Sequence, residues 1–98
     1  MTKPTDTETR AIAFRVSGRV QGVAFRWFGR ETAQELGVSG WIRNRADGDV
    51  EGEAFAESSA LESFLGRLRQ GPRSARVEDL RWEEIPDRDP TPGFEIRF

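Results

Sequence analysis

Apolar and polar residues alternate at the start of the chain. Ile12, Phe14 and Val16 fall on one side and Ala13, Arg15 and Ser17 on the other, which predicts a half-buried strand over 11–17. The period then changes. Phe25, Phe28, Thr32 and Leu36 form one stripe at helical spacing, predicting a helix over 23–36 that ends at Gly37 in a left-handed cap. Strands are expected over 38–46 and 49–56, joined at Asp47-Gly48, a strong hairpin signal. Leu61, Phe64, Leu65 and Leu68 recur at i, i+3, i+4 and i+7 and mark a second helix. Ser59 and Glu62 have the spacing of a capping box at its start, and Gly71-Pro72 stops it. A less regular strand with Val77, Leu80 and Trp82 is expected over 76–85, then a proline-containing loop over 86–93. Phe94, Ile96 and Phe98 predict a short terminal strand.

The order strand-helix-strand-strand-helix-strand is a split βαβ pattern. It predicts an α+β domain over 11–98, with two helices on one face of an antiparallel sheet and a short C-terminal strand added. Residues 1–10 are polar and without period and are expected to be a disordered tail.

Composition then narrows the chemistry. The 98 residues suit a single two-layer core. All but one of the 15 basic residues are arginine, but 17 acids are interleaved and the net charge is −2, so nucleic-acid binding through bulk charge is not expected. There is no cysteine and no histidine, which excludes thiol chemistry, imidazole general bases and the commonest metal ligands. No apolar run reaches membrane length, so a cytoplasmic protein with no membrane partner is expected.

Candidate chemistry concentrates in S-G-R-V-Q-G-V-A-F-R-W-F-G-R, residues 17–30. Gly18 and Gly22 bracket a loop that must turn sharply, and its backbone N–H groups can form an anion nest. The following helix adds unpaired N–H groups and the positive end of its dipole. Arg26, one turn in, can reach back over the loop, completing an oxyanion or phosphate site. Asn44 needs an explanation because asparagine is depleted in strands. Either it bonds its own backbone as the turn begins, or its amide holds a water or a substrate oxygen. Asp47, Asp49 and Glu51 faintly suggest a calcium loop, but Ser58 stands where a bidentate glutamate is required, so they read as a solvated strand and turn. Trp27, Trp41 and Trp82 sit among core-like residues and read as packing.

G-R-V-Q-G-V-A-F-R followed by G-W-I-R-N-R-A-D-G-D-V resembles the two signature motifs of the acylphosphatase family, and the similarity runs from Ala11 to Phe98. The resemblance implies a ferredoxin-like α/β plait that hydrolyses acyl phosphates to a carboxylate and inorganic phosphate. It places the phosphate in the loop Arg19, Val20, Gln21, Gly22 and Val23, gripped by Arg26, with Asn44 orienting the attacking water. No metal or cofactor is expected. The implied partners are a small acyl phosphate and, as inhibitors, inorganic phosphate or sulfate, acting on a monomer. One alternative is a non-catalytic regulatory or protein-interaction module of the same family. Another is an RNA-recognition domain on the same plait; the acidic third strand D-V-E-G-E-A-F-A argues against it.

Overall fold

The computed structural model describes residues 8–86 and 92–98. The elements run β1 (Thr9–Arg19), α1 (Phe25–Leu36), β2 (Ser39–Asn44), β3 (Val50–Glu57), α2 (Ser58–Gln70), β4 (Arg76–Ile85) and β5 (Phe94–Arg97). The strands form one sheet in the order β4-β1-β3-β2-β5. Strand β1 starts at Thr9, so two residues of the expected tail belong to the sheet; residues 1–7 and most of the 86–93 loop lie outside the described residues.

The helices pack on one face. The core joins Ile12, Phe14 and Val16 of β1, Ile42 of β2, Val50 and Ala54 of β3 and Phe94 of β5 to Phe25 and Ala33 of α1. All four residues of the second helical stripe, Leu61, Phe64, Leu65 and Leu68, are buried there. The Phe64 ring meets Phe14 edge-on, with centroids 5.7 Å apart. Each large side chain buried this way contributes about 1.5–3 kcal/mol. At Gly29 an added Cβ would come within 2.8 Å of Ile42 Cδ1, so the missing side chain lets α1 lie close on β2. That approach brings the start of α1 towards the end of β2, where Asn44 stands.

Four expectations are corrected. The sheet is mixed, because β5 pairs parallel with β2. The chain reverses between β4 and β5, which leaves β5 running with β2. Helix α1 begins at Phe25, two residues late, because Ala24 at its N-cap is left-handed (φ 59°, ψ 26°). The capping box is not the start of α2: the helix begins at Ser58, with Glu57 at the N-cap making no side-chain capping bond. The tryptophans are not core. Trp27 and Trp82 are about half exposed, and Trp41 stands on the opposite face of the sheet, stacked under Arg43 and Arg97.

Gly37 does take the left-handed cap (φ 73°). The hairpin closes where expected, Arg45 N–H donating to Asp49 O at 2.8 Å. The irregular pattern of β4 also has a cause. Its register with β1 shifts between Ser17 and Gly18, which turns both Leu80 and Val77 to the core side. The extra residue is Glu78 of β4; Gly18 (φ 124°) stands opposite the bulge, and a Cβ there would collide with Arg76 O. Among the described residues no helix is long and apolar enough to cross a membrane.

Candidate active site

The loop after β1 is fastened at its start by two adjacent residues. Val20 is fully buried and anchors it to the core. Gln21 turns the other way: its amide Nε2 donates to Arg45 O at 2.7 Å and to Asp49 O at 3.0 Å. One side chain thus ties the loop to both ends of the β2–β3 hairpin. Beyond these anchors the backbone turns through Gly22 (φ 73°) and Ala24 (φ 59°). Ala24 is the sole non-glycine residue with positive φ among those described, a conformation that costs an L-residue about 1–2 kcal/mol. Among the described residues, no backbone N–H from Gln21 to Trp27 donates to a backbone carbonyl; the first to do so is Phe28, to Ala24 O at 3.0 Å. Two positive-φ residues at a helix N-terminus with a run of uncommitted donors are the backbone features from which anion nests are built.

This segment borders a cleft of about 210 Å³ lined by Val20, Gly22, Ala24, Phe25, Arg26, Trp27, Asn44, Ile96 and Phe98. Of the residues expected from the sequence, the cleft gathers Arg26, Asn44, Val20 and Gly22. Arg19, Gln21 and Val23 do not line it. Arg19 is exposed at the strand end, opposite Arg76 of β4. Val23 is half-buried, its carbonyl accepting from Ser74 Oγ at 3.4 Å.

Arg26 is oriented without being neutralised. Its Nη1 donates to Arg97 O at 3.2 Å, and its guanidinium lies 4.8 Å from the centre of the Phe98 ring. No carboxylate among the described residues pairs with it. Asn44 is the last residue of β2, opposite Val50. Its Oδ1 is buried and has no hydrogen-bond partner among the described residues. Leaving a buried acceptor unpaired costs about 1–3 kcal/mol, so this amide is not serving its own turn.

The hairpin beyond Asn44 is the reverse. Arg15 donates to Asp47 at 2.6 Å and to Asp49 at 2.7 Å. Arg45 reaches Asp47 at 3.1 Å and Glu51 at 2.8 Å, and Arg43 reaches Glu51 at 2.7 Å. Asp47, Asp49 and Glu51 are thus all paired with arginines rather than simply solvated. The Asp49 backbone N–H, with Arg45, holds the Asp47 carboxyl below the usual range. Burial pushes Glu51 upward, but hydrogen bonds from Arg45 and Arg43 outweigh it and leave Glu51 lowered. Bonds to Glu51 and Asp47 raise Arg45.

Sequence reasoning missed Ala24, Trp27, Ile96 and Phe98 as cleft residues. Trp27 was detectable: at 100° per residue it sits about 200° from Phe25, away from the buried stripe. Phe98 shares the alternation of Phe94 and Ile96, but the parallel register ends at Arg43 opposite Arg97. The ring therefore emerges beside Asn44 rather than over the core.

Known proteins share both the sequence and this architecture. A family model described as acylphosphatase matches residues 12–96. An acylphosphatase of Salinibacter ruber is 47% identical over 95 residues, covering 95% of this chain and 97% of that relative. The solved acylphosphatase structure from Coxiella burnetii superposes with a TM-score of 0.88 at 36% identity, covering 98% of this chain and 100% of that one. That of Bacillus subtilis gives 0.87 at 33% identity, covering 93% and 100%. With a matching family model over nearly the whole described domain and full-length relatives in both sequence and fold, this chain belongs to the acylphosphatase family.

Proposed function

We propose that Arg26 and the backbone N–H groups of the loop around Gly22 hold the phosphoryl group, and that Asn44 positions the attacking water. The protein hydrolyses acyl phosphates to a carboxylate and inorganic phosphate; the assignment of roles to residues is the proposal. The observation that carries it is the pairing within one cleft of a guanidinium and a buried amide oxygen that have, among the described residues, no carboxylate partner and no donor respectively.

The chemistry asks for little more. The leaving group is a carboxylate whose conjugate acid has a pKa of roughly 4, so it departs without a general acid. Phosphoryl transfer through a loose transition state needs positioning and charge stabilisation. The water oxygen forms a bond to phosphorus as the bond from phosphorus to the acyl oxygen breaks, and the carboxylate leaves with the electron pair. A phosphoryl oxygen takes the water's proton. Gln21 supports this arrangement by fixing the loop to the hairpin that carries Asn44.

The same reading takes the protein to be a cytoplasmic monomer that inorganic phosphate and sulfate inhibit competitively, requiring no metal. The test is steady-state hydrolysis of a generic acyl phosphate, with and without chelator, against a phosphate series. Competitive inhibition in roughly the millimolar range is expected for a small-anion site, and it should vanish in Arg26→Ala. Phosphate inhibiting that variant as well as the parent would move the anion site elsewhere.

A further inference from the structure

Most arginines of the described chain pair with a carboxylate. Arg19, Arg26, Arg69, Arg73 and Arg76 make no ion pair among the described residues. All of them stand at the end of the molecule that carries the cleft. Arg19 closes β1 and Arg76 opens β4 opposite it. The α2 helix ends at Gly71, where a Cβ would lie 3.3 Å from Phe25 at the start of α1. Arg69 lies in the last turn of that helix, whose dipole accounts for a cation. Arg26 belongs to the cleft. Arg19, Arg73 and Arg76 are exposed and line no part of it.

The fold gains nothing from these three charges. Arg19 and Arg76 are direct cross-strand partners, and like charges so placed repel. Of the acids farther along β4, Asp79 is taken by Arg81 at 2.9 Å, and Glu78 makes no ion pair among the described residues. Arg73 sits in the connection from α2 to β4, which Ser74 fastens to the β1–α1 loop by donating to Val23 O at 3.4 Å. The substrate supplies a reason for such a cluster. The whole chain has a net charge of −2, and a phosphoryl group carries about −1.5 to −2 at neutral pH. Net charge alone therefore opposes their meeting, and a local excess of cations reverses the sign of the field where the substrate must enter. The chain from Arg19 to Gly22 spans at most about 11 Å, and an opposed antiparallel partner adds about 5 Å. Both fall within the Debye length of about 30 Å at 0.01 M salt, which shrinks to about 10 Å at 0.1 M. We infer that Arg19, Arg73 and Arg76 form an electropositive approach surface that draws phosphoryl anions to the cleft without touching them. They raise the local concentration of the anion and so lower KM, and they leave the chemical step to the cleft. This role rests on the phosphate being held at Arg26 and the loop around Gly22.

The experiment measures kcat and KM for benzoyl phosphate, and inhibition by inorganic phosphate, at ionic strengths of about 0.01 M and about 0.5 M set with sodium chloride. The proteins are the parent and the double variants Arg73→Gln with Arg76→Gln, Arg73→Lys with Arg76→Lys, and Arg73→Glu with Arg76→Glu. At low salt the glutamine pair should raise KM and the phosphate inhibition constant together, roughly three- to fivefold, with kcat unchanged. The glutamate pair should raise both further. The lysine pair should match the parent, because a field needs the charge and not the guanidinium. At high salt all four proteins should converge. A glutamine pair equal to the parent at low salt overturns the proposal and leaves these arginines as solvated surface. A rise in KM that persists at high salt, or that the lysine pair shares, overturns it too, since packing rather than charge would then be at work. Failure of the phosphate placement is read separately, as phosphate inhibiting Arg26→Ala as well as the parent at either salt.

Discussion

The fold treats the three arginines of the hairpin network and the one arginine of the cleft oppositely. Arg15, Arg43 and Arg45 are each matched to carboxylates at 2.6–3.1 Å. Arg26 has a carbonyl and a ring for partners and no carboxylate among the described residues. The hairpin spends its charges on holding shape, and the cleft keeps its charge, its N–H donors and one amide oxygen uncommitted. Groups already satisfied have little left for a ligand. A site for an anion must therefore leave donors unsatisfied, at a cost that the core and the hairpin offset.

The most drastic way to break that contrast is to remove the uncommitted charge. Arg26→Ala should lower kcat/KM by about a hundredfold or more, the usual loss when a preorganised donor to developing charge is deleted. Arg26→Lys should fail nearly as badly, because a point charge cannot replace the two-pronged contact. Both variants should keep the parent's circular dichroism and melt close to it. Near-normal turnover in either would detach Arg26 from the chemistry.

Next in size is Asn44. As a turn residue it would tolerate aspartate, which makes the same local bonds. Beside a phosphoryl group the added carboxylate repels: two unit charges about 4 Å apart at an effective dielectric near 20 interact by about 4 kcal/mol. Asn44→Asp should therefore be slower than Asn44→Ala at neutral pH. Part of the gap should close on acidification towards the carboxyl's own pKa. Single-turnover hydrolysis over a pH series measures this, and an aspartate variant as active as the parent would return Asn44 to the turn.

The two regions meet at Gln21, which sharpens the comparison. Gln21→Leu removes both bonds to the hairpin carbonyls while keeping a similar shape. Turnover should drop roughly tenfold through misplacement of Asn44 relative to the loop, and stability should fall by about 1–2 kcal/mol. Phosphate affinity should change less than kcat. Equal losses in both would make Gln21 a general support for the loop rather than the spacer between loop and hairpin.

The smallest effects belong to the paired region. Arg45→Ala should leave activity within about twofold, since exposed ion pairs contribute little individually. The acids of the network give a pH signature whose sign is fixed. Asp47 and Glu51 have folded-state pKa values lowered from normal. Their contribution is therefore fully present above the unfolded carboxyl pKa, about 4. It is lost as pH falls through their lower folded values. Thermal melts of parent and Asp47→Asn should differ slightly at neutral pH and converge in acid. A gap that widened on acidification would contradict this pairing.

Much of this was legible in the chain, because its signals are local. The stripe of Leu61, Phe64, Leu65 and Leu68 named the buried face of α2, the Asp47-Gly48 turn named the hairpin, and Gly37 named the cap of α1. Each depends on neighbours a few residues away, where backbone geometry alone sets which side chains share a face. The two motifs pointed to the family in the same way, as short runs in order.

What only the tertiary structure decided involves residues far apart in sequence. Gln21 finds Arg45 and Asp49 across 24 and 28 residues, and Arg26 finds Arg97 across 71. Periodicity could not say that Trp27 and Phe98 would share one cleft while Trp41 stacked on the far face of the sheet. Nor could it say that the Asn44 oxygen would be left without a donor. Pattern specifies which face a residue takes on its own element. Strand order and register decide what that face meets, and the chemistry of this cleft is made of such meetings.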